Sequence, residues 1–513
     1  MKNKKALLQH RVYLVLKVVI FVGMSLFLVW NADTQSFWSD EMSTIGYIRT
    51  GTSIIEMLKG YMVEDAVNLP LYPLLLYFLY RIVPYGELYL LLPSIILCVA
   101  AIFIISRIGF RWFGEEVSLA CVCVGALSIR LIDRGAWDIR CYALLVFLSA
   151  LTLYFYSIRL QKECYRTILL YGISMVFLFY THWFGALQMI FIALCDLILF
   201  LQKKVRFRCI LSYLLAGSTL LPWLITMLFT TTRDLGGNNA ASDVPDLGRL
   251  KETLYYLTGE RYVCFLLLVI GIVLIGGKHF WEKRQNKQNI DFSWIVVLSF
   301  LGLVVGVYCY CRYLNPRGTI YENKYFMVSL PQVFLIMALS INIIIKIVLM
   351  AVEKIVPKGK HLVKNLVCIV LVVYYGKLVW QNYTICYNMA QDIRMPYRQC
   401  AEYLADEGKI YQEDVLVVST ETTNLTEAWI DYYFVKHGAK QPQNIVALYA
   451  NRDNSYMETW DSIESEKIKE TYKKIIVFSI SFPQSEALQT YLDENYELVV
   501  ETYNGALSEY ERK

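Results

Sequence analysis

Pro70-Leu71-Tyr72-Pro73-Leu74-Leu75-Leu76-Tyr77-Phe78-Leu79-Tyr80-Arg81-Ile82-Val83-Pro84 is the stretch whose reading decides the topology of this chain. Its apolar part, residues 71–83, has about thirteen residues between two prolines, against about twenty for a helix that crosses a bilayer. That length predicts a juxtamembrane helix lying along the membrane surface, and counting it as a crossing would reverse the sidedness of everything after it.

Working outward, runs of crossing length and charged flanks predict about eleven spans, over residues 12–30, 88–106, 117–131, 142–158, 168–180, 184–201, 210–229, 262–277, 293–310, 325–346 and 366–380. With the amino terminus cytoplasmic, the inner connections carry Lys2/Lys4/Lys5, Arg107/Arg111, Arg159/Lys162/Arg166, Lys203/Lys204/Arg206/Arg208, Lys278/Lys283/Arg284/Lys287 and Lys354/Lys358/Lys360/Lys364. Every one is basic, as the positive-inside rule requires. This parity holds only if 71–83 stays on the outer surface. The first loop (31–87), the 130–140 turn, the 230–260 loop and everything after Trp380 then face outward.

Composition agrees with a membrane protein bearing a soluble appendage: 57% of the 513 residues are hydrophobic and 15% aromatic, and mean hydropathy is +0.42. A net charge of +5 without basic blocks argues against a nucleic-acid partner. The 13 cysteines sit mostly in apolar runs and show no zinc-type spacing, which makes them packing residues. Cys309/Cys311 and Cys386/Cys400 leave disulfides open. The first apolar run lacks a small-x-small exit and reads as an anchor rather than a cleaved signal.

From Gln381 long apolar runs stop and charges rise. Short β-rich segments at 415–419, 445–449, 475–480 and 498–501 alternate with helical ones at 397–407, 426–436 and 484–494, which predicts a small α/β domain. It has no glycine-rich phosphate loop and no nucleophile elbow, so a lid or docking role fits it better than a second active site. The predicted fold is thus a polytopic α-helical membrane protein of about eleven transmembrane helices plus the outer juxtamembrane helix. Residues 1–380 form the transmembrane domain, and 381–513 form a C-terminal extracytoplasmic α/β domain.

Four constellations carry candidate chemistry. In Phe37-Trp38-Ser39-Asp40-Glu41, two aromatic residues precede adjacent carboxylates at membrane level, where an acid can serve as a base toward a hydroxyl. The plainer reading is that Ser39 or Asp40 caps a helix over 42–48. Arg130, Asp133, Arg134, Asp138, Arg140 and Tyr142 crowd one outer turn: guanidinium forks suit phosphate oxygens, while alternating signs also allow mutual neutralisation. Thr181-His182-Trp183-Phe184 places a lone histidine among aromatic rings, which suits either packing or stacking on a sugar. Arg312, Arg317, Lys324 and Tyr325 lie at another outer edge, where cations bind lipid phosphate or merely snorkel.

Together these residues resemble a family. Asp40-Glu41, Asn68-Leu69-Pro70-Leu71-Tyr72, Leu92-Pro93-Ser94, Asp138-Ile139-Arg140-Cys141-Tyr142, Thr181-His182-Trp183-Phe184-Gly185 and Asn323-Lys324-Tyr325-Phe326 are similar to segments of the GT-C membrane glycosyltransferases. The branch is the one holding the protein O-mannosyltransferases and the aminoarabinose transferases of lipid A, and the resemblance runs through about residue 350. It implies inverting transfer of a sugar from a polyprenyl-phosphate donor to an acceptor polymer, glycolipid or protein at the outer face of a bacterial plasma membrane. It further implies that Asp40 is the acceptor-activating base or a metal-proximal acid, supported by Glu41. Arg134, Asp138, Arg140, Tyr142, His182, Lys324 and Tyr325 would bind the donor. No cofactor is demanded; a divalent ion, if any, would sit at Asp40 and Asp138.

The chain also departs from the family pattern. Asn68-Leu69-Pro70 replaces a frequent His-Pro-Pro, Leu91 or Leu92 stands where an arginine is common, and Lys324 exchanges a fork for a point charge. A lipid-linked glycan flippase or other transporter is the alternative reading, and it would place polar groups near the bilayer midplane and often show repeated halves. The charges here read as outer-edge ones. A receptor or scaffold would need only an anchor, not some eleven spans.

Overall fold

The computed structural model describes residues 2–32, 34, 36–49, 53–65, 69–230, 244–285, 290–315, 321–355, 360–391, 395–406, 411–436, 438, 440, 444–449, 465–481 and 484–513. The chain divides into two compact units. One comprises Met1–Trp30, Met62–Tyr72 and Leu91–Tyr387; the other comprises Asn31–Tyr61, Pro73–Leu90 and Asn388–Lys513.

In chain order the helices are α1 (Lys2–Trp30), α2 (Ser39–Arg49), α3 (Ile54–Asp65), α4 (Leu71–Ile82), α5 (Glu87–Phe113), α6 (Glu115–Ala126) and the single turn α7 (Ile129–Leu131). Then come α8 (Tyr142–Gln161), α9 (Tyr165–Phe179), α10 (Trp183–Leu201), α11 (Ile210–Thr230), α12 (Leu247–Leu257), α13 (Tyr262–Arg284) and α14 (Phe292–Cys309). The series ends with α15 (Leu330–Ile355), α16 (Lys360–Gln391), α17 (Tyr397–Asp406), α18 (Thr423–Ile430), α19 (Ser465–Thr471) and α20 (Glu486–Asn495).

Among the described residues, eight helical segments are long and apolar enough to cross a membrane: Gln9–Trp30, Glu87–Phe113, Tyr142–Gln161, Trp183–Leu201, Phe207–Ile225, Tyr262–Arg284, Phe292–Leu314 and Asn323–Lys354. The chain is a multi-pass membrane protein. The other three expected crossings are helical but differ in kind. α6 has 12 residues, about 18 Å of rise, because Ser128 stops it and caps the next turn by accepting from Leu131 N at 3.3 Å. α9 has 15 residues, and 366–380 lies within the 32-residue α16. The deciding stretch is the 12-residue α4, ended where Pro84 follows.

Close helix approach in the first unit follows from small residues. Gly302 and Gly306 of α14 receive the ring of Phe191 from α10, which leaves no room for a β-carbon at either position. α8, α10 and α11 share a buried ion pair. Arg159 Nη2 donates to Asp196 Oδ1 and Oδ2 at 2.7 and 2.5 Å, and Tyr156 and Tyr213 hydroxyls donate to the same carboxylate at 3.0 and 2.8 Å. The expectation that charges keep to the outer edge is therefore corrected. Asp196 sits inside an apolar span, neutralised by an arginine that the sequence assigns to a loop. Among the described residues, Cys309, Cys311, Cys386 and Cys400 are all free thiols.

In the second unit, β1 (Val415–Thr422), β2 (Ile445–Tyr449), β3 (Lys474–Phe478), β4 (Tyr496–Thr502) and β5 (Leu507–Arg512) form one sheet of order β2-β1-β3-β5-β4. β1 is parallel to β2 and β3, and β5 is antiparallel to β3 and β4. Val415 to Val418 are all buried, the continuous apolar run of a strand covered on both faces. β5 was not expected. Its Ser508 and Glu509 are polar yet buried, and Glu509 pairs with Lys474 at 3.5 Å on the neighbouring strand. α17, α18 and α20 match the three expected helices within a few residues, and α19 is additional.

Candidate active site

In the helical unit the turn between α7 and α8 is a knot of paired charge. After α7 the backbone widens into a π turn over Ile132–Ala136, closed by Trp137 N donating to Ile132 O at 3.0 Å. Asp133 faces Arg130 and Arg134 at 3.6 Å each. Arg130 also pairs with Glu260 and lies 4.3 Å from the Tyr256 ring centroid. Burial works against the Arg134 charge, but Asp133, and then Asp138, outweigh it and hold the guanidinium firmly protonated. Asp138 is buried, and its backbone is fixed by Ser94 Oγ, which donates to Asp138 O at 3.1 Å and lies 2.9 Å from Tyr72 OH. Ser94 lies inside α5.

His182 joins this turn to two others. It caps α10 by accepting from Phe184 N through Nδ1 at 3.1 Å, just outside the Trp183–Leu201 span. Its ring centroid lies 5.0 Å from Tyr325, 5.7 Å from Phe184 and 6.3 Å from Tyr142. Burial pushes its pKa down to about 3, and Arg140 and Lys324 push the same way. The Cys141 thiol is pushed up to about 11 by burial, while Arg140 and Lys324 oppose the shift and Asp138 reinforces it. Arg140, Lys324, Asp138, Tyr142, His182 and Tyr325 thus form one neighbourhood, although the sequence gives them as three separate motifs.

α12 holds two edges of that neighbourhood. Thr253 Oγ1 lies 2.8 Å from Asn323 Oδ1 and 3.0 Å from Tyr321 OH, and Asn323 Nδ2 donates to Glu252 Oε1 at 2.9 Å. This fixes the residue next to Lys324. One turn further on, Tyr256 and the following Glu260 hold Arg130. None of these holders was expected; the 244–260 segment offers only an amphipathic pattern. Arg312 instead donates to the Pro245 carbonyl at 3.2 Å, and Arg317 and Asn68 lie outside the described residues.

In the second unit, α2 opens on the acidic pair. Glu41 is buried and its Oε2 accepts from Trp38 N at 3.0 Å, while Trp38 O accepts from Glu41 N and Met42 N at 2.9 Å each. Glu41 is the N3 half of a capping box on its own helix. The capping expectation is therefore right in kind and wrong in residue, with Glu41 rather than Ser39 or Asp40 making the cap. Asp40 is left half-buried in the first turn, where the helix dipole favours a negative charge. Among the described residues no three His, Cys, Asp or Glu side chains gather as a metal set, and Asp40 and Asp138 belong to separate units.

No protein-family model matches the sequence, and no curated protein matches it. Solved structures do. ArnT from Cupriavidus metallidurans, crystallised bound to undecaprenyl phosphate, aligns over 96% of this chain and 97% of its own at 11% identity and a TM-score of 0.59.

The fold is that of ArnT.

The apo state of ArnT aligns over the same shares at 11% identity and a TM-score of 0.58. The oligosaccharyltransferase AglB from Archaeoglobus fulgidus, in complex with an inhibitory peptide and a dolichol-phosphate, aligns at 10% identity over 98% of this chain and 74% of its own, with a TM-score of 0.48. Alignment with ArnT over 96% of the chain takes in the five-stranded sheet as well as the helices, which extends the likeness past the motifs where the sequence resemblance ends.

Proposed function

We propose that this protein is an inverting glycosyltransferase that moves a sugar from a polyprenyl-phosphate donor to an acceptor hydroxyl at the outer face of the membrane. The observation that carries this reading is the gathering of Arg140 and Lys324 around the neutral, buried ring of His182, with Tyr142 and Tyr325 beside it. Two cations suit a phosphate diester, and aromatic faces suit a sugar. The fold shared with ArnT, crystallised with undecaprenyl phosphate, supports a lipid phosphate as the carrier.

In this mechanism Asp40 takes the proton of the acceptor hydroxyl as its oxygen attacks the anomeric carbon, and the bond from that carbon to the phosphate oxygen breaks with inversion. The leaving polyprenyl phosphate gains a negative charge, which Arg140 and Lys324 stabilise. Arg134 and Asp138 hold the neighbouring turn, and Glu41 fixes the helix start that presents Asp40. No step is routed through a metal ion. The proposal includes the sidedness deduced from basic inner loops, with α6, α9 and α16 completing eleven crossings and residues 381–513 outside.

A transporter has one observation in its favour, the intramembrane Arg159–Asp196 pair. Both charges are matched and the carboxylate also receives two tyrosine hydroxyls, which fits a structural tie between helices. Incubation of the purified protein with a panel of polyprenyl-phosphate sugars separates the readings: a transferase releases free polyprenyl phosphate with one of them, and release from none sinks the proposal.

A further inference from the structure

Leading into α2, Thr34, Ser36 and Phe37, with Ser39 at the first position of the helix, are held by partners far along the chain in the same unit. Phe37 N donates to Tyr433 OH at 3.2 Å, and Ser36 Oγ donates to Met395 O at 2.8 Å. Arg398 N donates back to Ser36 Oγ, and Arg398 Nη2 to Thr34 O, both at 3.2 Å. Ser39 N lies 3.2 Å from the Met395 sulfur, and the Phe37 ring lies 5.3 Å from that of Tyr432.

These holders converge on one carboxylate. Glu87 is only 1% exposed; one oxygen accepts from Tyr433 OH at 3.1 Å and the other faces Arg398 Nη1 at 3.4 Å. Glu87 and Tyr433 are 346 residues apart in sequence. A buried carboxylate is costly without partners, and here both oxygens are used to bind the two segments that grip residues 34–39. Tyr433 is fully engaged, its hydroxyl accepting from Phe37 and donating to Glu87.

We propose that Glu87, Arg398 and Tyr433 are positioning residues for the acidic turn, fixing the backbone that carries Asp40, so that the C-terminal domain takes part in the reaction by aiming its base. This rests on Asp40 being that base. It gives the domain a task other than substrate binding: without the 395–398 and 432–433 segments, Thr34, Ser36, Phe37 and Ser39 lose these long-range partners.

The test uses the full-length protein in nanodiscs and the variant Tyr433→Phe, which keeps the ring and removes only the hydroxyl. Amide hydrogen exchange at residues 37–42 should quicken by at least about tenfold while the five-stranded sheet stays protected. The kcat should fall by about ten- to a hundredfold, with KM for the polyprenyl-phosphate sugar and the melting temperature little changed. Glu87→Gln, which keeps the acceptor for Tyr433, should lose less, and the double variant should lose little more than Tyr433→Phe because both act through one network. Unchanged exchange at 37–42, or a raised KM with normal kcat, overturns the positioning role. Turnover retained in Asp40→Asn overturns the catalytic reading instead, and the exchange measurement tells the two failures apart.

Discussion

The two groups of candidate residues, one in each unit, are built in opposite ways. In the helical unit, the cation and aromatic cluster is assembled at helix ends: charges compensate one another within the 130–140 turn, and α12 braces it from the next loop. In the other unit, a single half-buried carboxylate stands on a turn whose partners lie hundreds of residues away. A phosphate site needs several positive groups brought together, which adjacent helix ends supply. A base needs one group aimed well, and aim comes from long-range constraint.

The comparison breaks most sharply at Asp40. Asp40→Asn should lower sugar transfer by about a thousandfold or more, with protein level and binding of the polyprenyl-phosphate sugar nearly unchanged; turnover in membranes and donor binding measured side by side check both halves. On the cationic side, Arg140→Gln and Lys324→Gln should each weaken donor binding by about ten- to a hundredfold, and Lys324→Arg should keep most of it. Unchanged apparent affinity in both neutral variants would remove the phosphate clamp, leaving the cluster a set of mutually neutralised charges.

Legibility in sequence followed the same division. Apolar run length marks most of the helices, and two prolines predict that α4 stops short. It fails at 117–131, where apolar composition continues past Ala126 although Ser128 starts a new capped turn. Asp196 is hidden in an apolar run, its arginine counted as a loop residue. β5 is hidden because Ser508 and Glu509 suit a surface strand, and the Lys474 that pairs with the buried Glu509 lies on another strand. Arg134, Asp138 and Arg140 stand out because charges crowd between two apolar runs. Glu87, Arg398 and Tyr433 do not, since nothing local joins a glutamate at one helix start to an arginine and a tyrosine past residue 390.

A smaller effect probes the bracing of the cationic side. Thr253→Val keeps the shape of α12 but removes the hydroxyl shared by Tyr321 and Asn323, a loss of about 1 kcal/mol. If that bracing fixes Lys324, KM for the donor should rise a few-fold while kcat holds, the reverse of the split expected for Tyr433→Phe. Equal effects on both constants would erase the contrast between the two groups.

The smallest effect expected on turnover belongs to His182. With its pKa held down to about 3, the ring is neutral near pH 7, so it adds no limb to the pH profile near 6.5. His182→Gln should leave the shape of that profile unchanged even if its height drops. Protonation acts on stability instead. The unfolded chain takes up this proton near pH 6.5 and the folded one resists it to about 3, so the histidine's share of stability is complete above 6.5. Falling pH removes it at about 1.4 kcal/mol per unit across the window. Unfolding followed from pH 7 to pH 4 should show wild type losing more than His182→Gln over that range. If the two lose equally, His182 is protonated in the folded protein, and the neutral ring near Arg140 and Lys324 that carries the proposed donor site does not exist.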